Sequence, residues 1–106
     1  LVIPAPVSAE IDYLLATRLG ARAQRAFLAD LAAERFVVAC LQTIDYRRFL
    51  ELEHRYAGLE LGLADLAVIV MADRFETLRI LTFDERDFRA VSPLQGGSFE
   101  LLPADL

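Results

Sequence analysis

Two aspartates sit where short polar side chains meet strongly apolar segments, and their placement is that of ligands for a hard cation. Asp65 opens the run Leu66 to Ala72, in which every residue is apolar, and Asp84 follows the β-leaning run Arg79 to Thr82. Carboxylate oxygens are the donors that Mg²⁺ and related ions prefer, so two of them at element ends in an otherwise oily chain make a candidate metal site. Each also has a local reading. An acid in the first turn of a helix satisfies unpaired N–H groups and gains from the positive end of the dipole, and an aspartate after a strand is a common turn residue.

The elements that must hold these residues follow from the pattern. A helix over Leu66 to Ala72 has no polar face, so it is expected to be covered on nearly all sides. Arg79 to Thr82 reads as a buried parallel strand, and the crevice beyond the carboxyl ends of such strands is where open α/β sheets build their sites. Upstream, Leu1 to Ile3 reads as the end of a strand stopped by Pro4 and Pro6. A helix then runs from about Pro6 or Ser8 to Leu19, with Ile11, Leu14, Leu15, Arg18 and Leu19 at the helical period, Glu10 as a dipole-favourable acid in its first turn, and Gly20 as its stop. A second helix spans Ala21 to about Glu34, burying Ala23, Phe27 and Leu31 and leaving Arg22 and Arg25 in water. Phe36 to Leu41 is apolar throughout and predicts a strand buried on both faces, with Cys40 as an inert buried thiol. Thr43 caps a third helix to about Ala57, ended by Gly58, with Ile44, Phe49, Leu52 and Tyr56 toward the core. A short helix near Glu85 to Val91 and a strand over Ser98 to Leu102 complete an α/β alternation with a largely parallel sheet.

Composition bounds the function. With 56% hydrophobic residues the chain is ordered, and its length fits one domain over residues 1–106. No apolar run approaches the roughly 20 residues of a membrane span, which predicts a cytoplasmic protein with no membrane partner. A net charge of −5 ordinarily disfavours nucleic acid, yet all 11 basic residues are arginine, the side chain that grips phosphate with a two-pronged fork. His54 lies among charged neighbours with no paired serine or cysteine nucleophile, and reads as a surface residue. No P-loop, dinucleotide-binding turn, hydrolase elbow or zinc-type Cys/His spacing is present.

Three segments together, VSAEIDYLLATRLG around Glu10, LGLADLAVIVMADRF around Asp65 and RILTFDERDF around Asp84, resemble the PIN-domain family, and especially its VapC-type toxins, over almost the whole chain. The resemblance implies a PIN-like parallel sheet sandwiched by helices and a metal-dependent ribonuclease, the toxin of a type II toxin–antitoxin pair. It makes Glu10, Asp65 and Asp84 the acids that hold Mg²⁺ or Mn²⁺, with Thr82 as a supporting hydroxyl; Asp12, Asp73 and Asp87 fit surface or salt-bridge roles. Arg86 and Arg89, near Asp84, are candidate contacts to the RNA. A VapB-type antitoxin and a homodimer are the implied partners. Family members begin with a strand bearing a further aspartate; the chain starts at Leu1 without it, so an N-terminally incomplete domain is expected. The competing expectation is a catalytically silent PIN-like module that binds protein.

Overall fold

The computed structural model describes residues 1–82 and 85–106, Glu85 by its backbone alone. The described residues form an α/β protein that divides into two compact units, residues 1–42 and 43–106.

In the first unit, β1 (Val2–Pro4) leads directly into α1 (Ala5–Arg18), which is followed by α2 (Ala21–Ala32) and β2 (Val37–Ala39). The strands pair in parallel with Val2 opposite Val37 and Ile3 opposite Val38. Pro6 falls in the first helical positions, where a missing N–H costs nothing. At the other end of α1 the N–H groups of Leu19 and Gly20 both reach the Leu15 carbonyl at 2.9 Å, and Gly20 takes φ +94°, a left-handed conformation that a side chain would resist. Between the two helices the Gln24 amide donates to Asp12 Oδ1 at 2.9 Å. Phe27 is buried beside Phe36, ring centroids 6.2 Å apart, while Arg22 and Arg25 are exposed as the spacing predicts.

Three expectations fail in this unit. No residue of α1 is buried, and Leu14 and Leu19 are exposed: Val7, Ile11, Leu14 and Leu15 do share one face of the helix, but within this unit that face is only partly covered. Glu10 stands in the second turn of α1, since the helix starts at Ala5. The β2 strand is not buried on both faces: Val37 and Val38 are 57% and 40% exposed, and Cys40, beyond the strand end, is also exposed. Apolarity states what a strand can tolerate against its faces; within this unit β2 has β1 as its strand neighbour, and two valines stay open.

The second unit has the larger core. It runs through α3 (Thr43–Arg55), a single 3₁₀ turn (Ala57–Leu59), α4 (Leu63–Arg74), β3 (Arg79–Leu81), α5 (Glu85–Ala90) and β4 (Glu100–Leu102). The strands β3 and β4 are parallel, with Ile80 opposite Leu101, and the pairing continues beyond the strand ends through Glu100 N–H to Leu78 O (2.8 Å) and Thr82 N–H to Leu102 O (2.9 Å). The α4 helix is covered as its composition requires: Ala67, Ile69 and Val70 have no exposed surface, and Leu66, Met71 and Ala72 are buried beside them. Phe88 of α5 meets Phe99 edge to face, centroids 6.4 Å apart. On α3 the buried residues are Asp45, Phe49 and Leu52, a stripe at i, i+4 and i+7 that begins with an acid. Ile44 falls outside this stripe and is 52% exposed, against expectation. Tyr56 continues it, half-buried, its hydroxyl accepting the Ser92 N–H at 3.1 Å.

Candidate functional site

Asp65 is the third residue of α4, after Leu63 and Ala64, with Gly62 at the cap. From there its carboxylate reaches back to accept the Gly62 N–H at 3.4 Å, while Leu66 N–H bonds to the Gly62 carbonyl at 3.1 Å. The first turn of a long buried helix therefore fixes the half-buried Asp65 carboxylate where the helix dipole favours negative charge. Its donors are hard oxygens, the chemistry that suits Mg²⁺ or Mn²⁺.

Glu10 is exposed on α1, in the other unit. Asp84 lies outside the described residues. Among the described residues no three histidine, cysteine, aspartate or glutamate side chains gather closely enough to hold a metal ion. Thr82 follows β3 immediately, its backbone N–H held by β4 as given above. Arg86 is exposed on α5. Arg89 extends its fork to Asp105, with Nη1 to Oδ2 at 3.0 Å and Nη2 to Oδ1 at 2.5 Å. That fork, joined by the Leu101 N–H at 2.8 Å, holds the Asp105 carboxyl below the ordinary carboxylate range.

The remaining acids behind α4 have structural partners. Asp73 binds Arg48 Nη2 at 2.8 Å, in keeping with its salt-bridge reading. Asp45, with 1% of its surface exposed, is ion-paired to Arg74, which also lies against the Met71 sulfur at 3.4 Å. This pair is absent from the sequence reading. No local pattern announces it, since its partners lie 29 positions apart on two different helices. Nearby, the apolar side chains of Tyr46, Phe49, Leu50, Leu63 and Leu66 line an open groove of about 420 Å³ between α3 and the start of α4. His54 is exposed in the last turn of α3.

No protein-family model matches the chain. Among curated proteins, Ribonuclease VapC26 of Mycobacterium tuberculosis (strain ATCC 25618 / H37Rv) is 39% identical over 103 residues, which cover 97% of this chain and 76% of that protein. The alternation of helices with parallel strand pairs agrees with that similarity, and by it the chain belongs to the VapC-type PIN-domain family.

Proposed function

We infer that the chain is an RNA-cleaving hydrolase, the toxin of a type II toxin–antitoxin pair, and that Glu10, Asp65 and Asp84 are the acids of its site. The observation that carries this reading is the 39% identity, along nearly the whole chain, to a protein named a ribonuclease. In support, Asp65 stands in the first turn of α4, the helix with the most buried residues among those described.

Hydrolysis of a phosphodiester needs a hydroxide near neutral pH and a sink for the charge on the leaving oxygen. A divalent cation, Mg²⁺ or Mn²⁺, supplies both when bound. The part of the chain is to hold and orient. Asp65 offers its carboxylate from a rigid helix end, Glu10 and Asp84 add oxygens, and the Thr82 hydroxyl supports them from the end of β3. Arg86, exposed on α5, would bind a phosphate oxygen of the RNA in this reading. Arg89 is the second candidate contact, with two of its five N–H donors already engaged by Asp105. The partners in this reading are single-stranded RNA in the cytoplasm, a VapB-type antitoxin and a second copy of the chain as a homodimer. Among the described residues no helix is long and apolar enough to cross a membrane.

The test is cleavage of single-stranded RNA with and without EDTA, beside calorimetric titration with Mn²⁺ of the wild type, Asp65→Asn and Asp84→Asn. The expected outcome is chelator-sensitive cleavage and Mn²⁺ binding that weakens in both variants. Equal Mn²⁺ binding by all three proteins would remove the site assignment, and cleavage indifferent to EDTA would remove the metal.

A further inference from the structure

α4 poses a mechanical problem. Its middle is apolar on every side, so hydrophobic burial holds it in place but says little about its rotation about its own axis. A turn by one residue is about 100°, enough to aim Asp65 at a different part of the molecule. Something polar has to set the angle.

The polar contacts behind the helix do this. Asp45 of α3, 1% exposed, is the buried charged residue among those described, and its partner is Arg74 in the last turn of α4. One step away the charges are crossed, with Arg48 of α3 against Asp73 of α4 at 2.8 Å. Each helix thus contributes one acid and one base, and sliding or rotating α4 would leave the Asp45 carboxylate buried without its cation. That is the costly outcome, because an uncompensated buried charge is far worse than an exposed one. Nine positions at about 100° each place Arg74 on the opposite side of α4 from Asp65. Fastening the back of the helix at its far end therefore directs the front of its first turn.

We propose that Asp45 and Arg74 are positioning residues for Asp65: their buried ion pair, backed by Arg48 and Asp73, fixes the rotational setting of α4 that aims the Asp65 carboxylate. The inference rests on the reading of Asp65 as a site acid. It assigns to the pair a job other than stability, since replacing both members of a buried pair by apolar residues of similar shape is often neutral or stabilising.

The experiment compares the double variant Asp45→Leu/Arg74→Met with wild type and with Asp65→Asn. Leucine has the branched shape of the aspartate without its charge, and methionine keeps an unbranched stem. Melting temperature, kcat and KM for single-stranded RNA, and the methyl NMR signals of Ile69 and Val70 are measured. The expected result is a melting temperature at or above that of wild type, kcat lower by tenfold or more with KM within twofold, and doubled or broadened methyl signals where wild type gives one set. Wild-type kcat with one methyl set overturns the proposal. So does a fall in kcat that merely tracks the unfolded fraction at the assay temperature, because the pair would then only hold the fold. If the double variant does not fold, Arg74→Lys decides: it keeps the charge and loses the fork, so kcat should fall threefold or more in a folded protein, and an unchanged kcat overturns the proposal. Full activity in Asp65→Asn would instead overturn the reading of the site beneath it.

Discussion

The two units of this chain are built on opposite terms. In residues 1–42 the buried apolar side chains of the core are few, Ile3, Phe27 and Ala39, and the 14-residue α1 buries none of its own. In residues 43–106 the middle of α4 is enclosed, with Leu66, Ala67, Ile69, Val70, Met71 and Ala72 all buried, Ile80 and Leu101 are enclosed in the strand pair, and Phe88 meets Phe99 edge to face. Both units contain two helices of at least 12 residues and a parallel strand pair, so secondary structure does not separate them. Burial does. The large apolar residues of α1 fall mainly on one face that stays partly open within its unit, whereas those of α4 are dense enough that any direction is apolar. One candidate acid, Glu10, therefore stands on a helix held by half-buried contacts, and another, Asp65, on the best-packed element of the chain.

The largest effect that would sharpen this contrast is in the core. Ile69→Ala empties a site with no exposed surface, and truncations of that kind cost about 2–5 kcal/mol. Leu14→Ala, on a residue of α1 that is 46% exposed, should change stability by no more than about 0.5 kcal/mol. Urea denaturation of both variants checks the pair of values. Comparable losses would mean that α1 is as firmly packed as α4, and the contrast would collapse.

The same contrast explains what was legible in the sequence. Helix and strand positions came through because period, proline and glycine signals are local: Pro6 opens α1, Gly20 ends it, and the apolar block at Leu66 announces α4. Helix stops without glycine were harder to place. Glu34, Glu60 and Glu76 adopt left-handed φ of 58°, 53° and 52° after α2, the 3₁₀ turn and α4, positions where glycine is the usual signal. Thus glycine at position 58 predicts the stop of α3, whereas α3 ends at Arg55, Gly58 lies inside the 3₁₀ turn and Glu60 makes the left-handed bend. Burial was less legible because it depends on neighbours distant in sequence. Val37, Val38 and Cys40 look like core and are exposed, while Asp45 looks like a surface acid and is enclosed. For the site, the place of Asp65 at a helix start was readable from one residue type beside an apolar run. Its support through Arg74 was not, since pairing across two helices leaves no periodic trace.

A smaller effect separates activity from stability. Glu10→Gln removes an exposed charge from α1, so it should leave the urea midpoint unchanged while lowering RNA cleavage by about a hundredfold or more, since loss of a group that merely supports a metal ligand already costs about ten- to a hundredfold. Activity at the wild-type level would take Glu10 out of the site. A shift in midpoint comparable with that of Ile69→Ala would show instead that α1 contributes to the folded state as much as the second unit does.

The smallest effect lies at the end of the second unit, where Arg89 holds Asp105 with two hydrogen bonds and the Leu101 N–H adds a third. These contacts favour the ionised carboxyl, the Arg89 fork most of all, so Asp105 loses its proton at lower pH in the folded chain than in the unfolded one. In the unfolded chain an aspartate titrates near about 3.9. The contribution of the pair is therefore complete above about pH 4, and it is lost as pH falls through the lowered folded value, because in that window the unfolded state binds the extra proton. Arg89→Met takes away the main cause of the shift. Wild type should exceed the variant in urea midpoint at pH 7, and the gap should narrow as the solution is acidified below about pH 4. Because the pair is partly open to solvent, added salt should shrink the gap at pH 7 as well. A gap of constant size from pH 7 to pH 2.5 would mean that Arg89 acts through the packing of its stem on α5, and that Asp105 is no electrostatic anchor for the C-terminal turn.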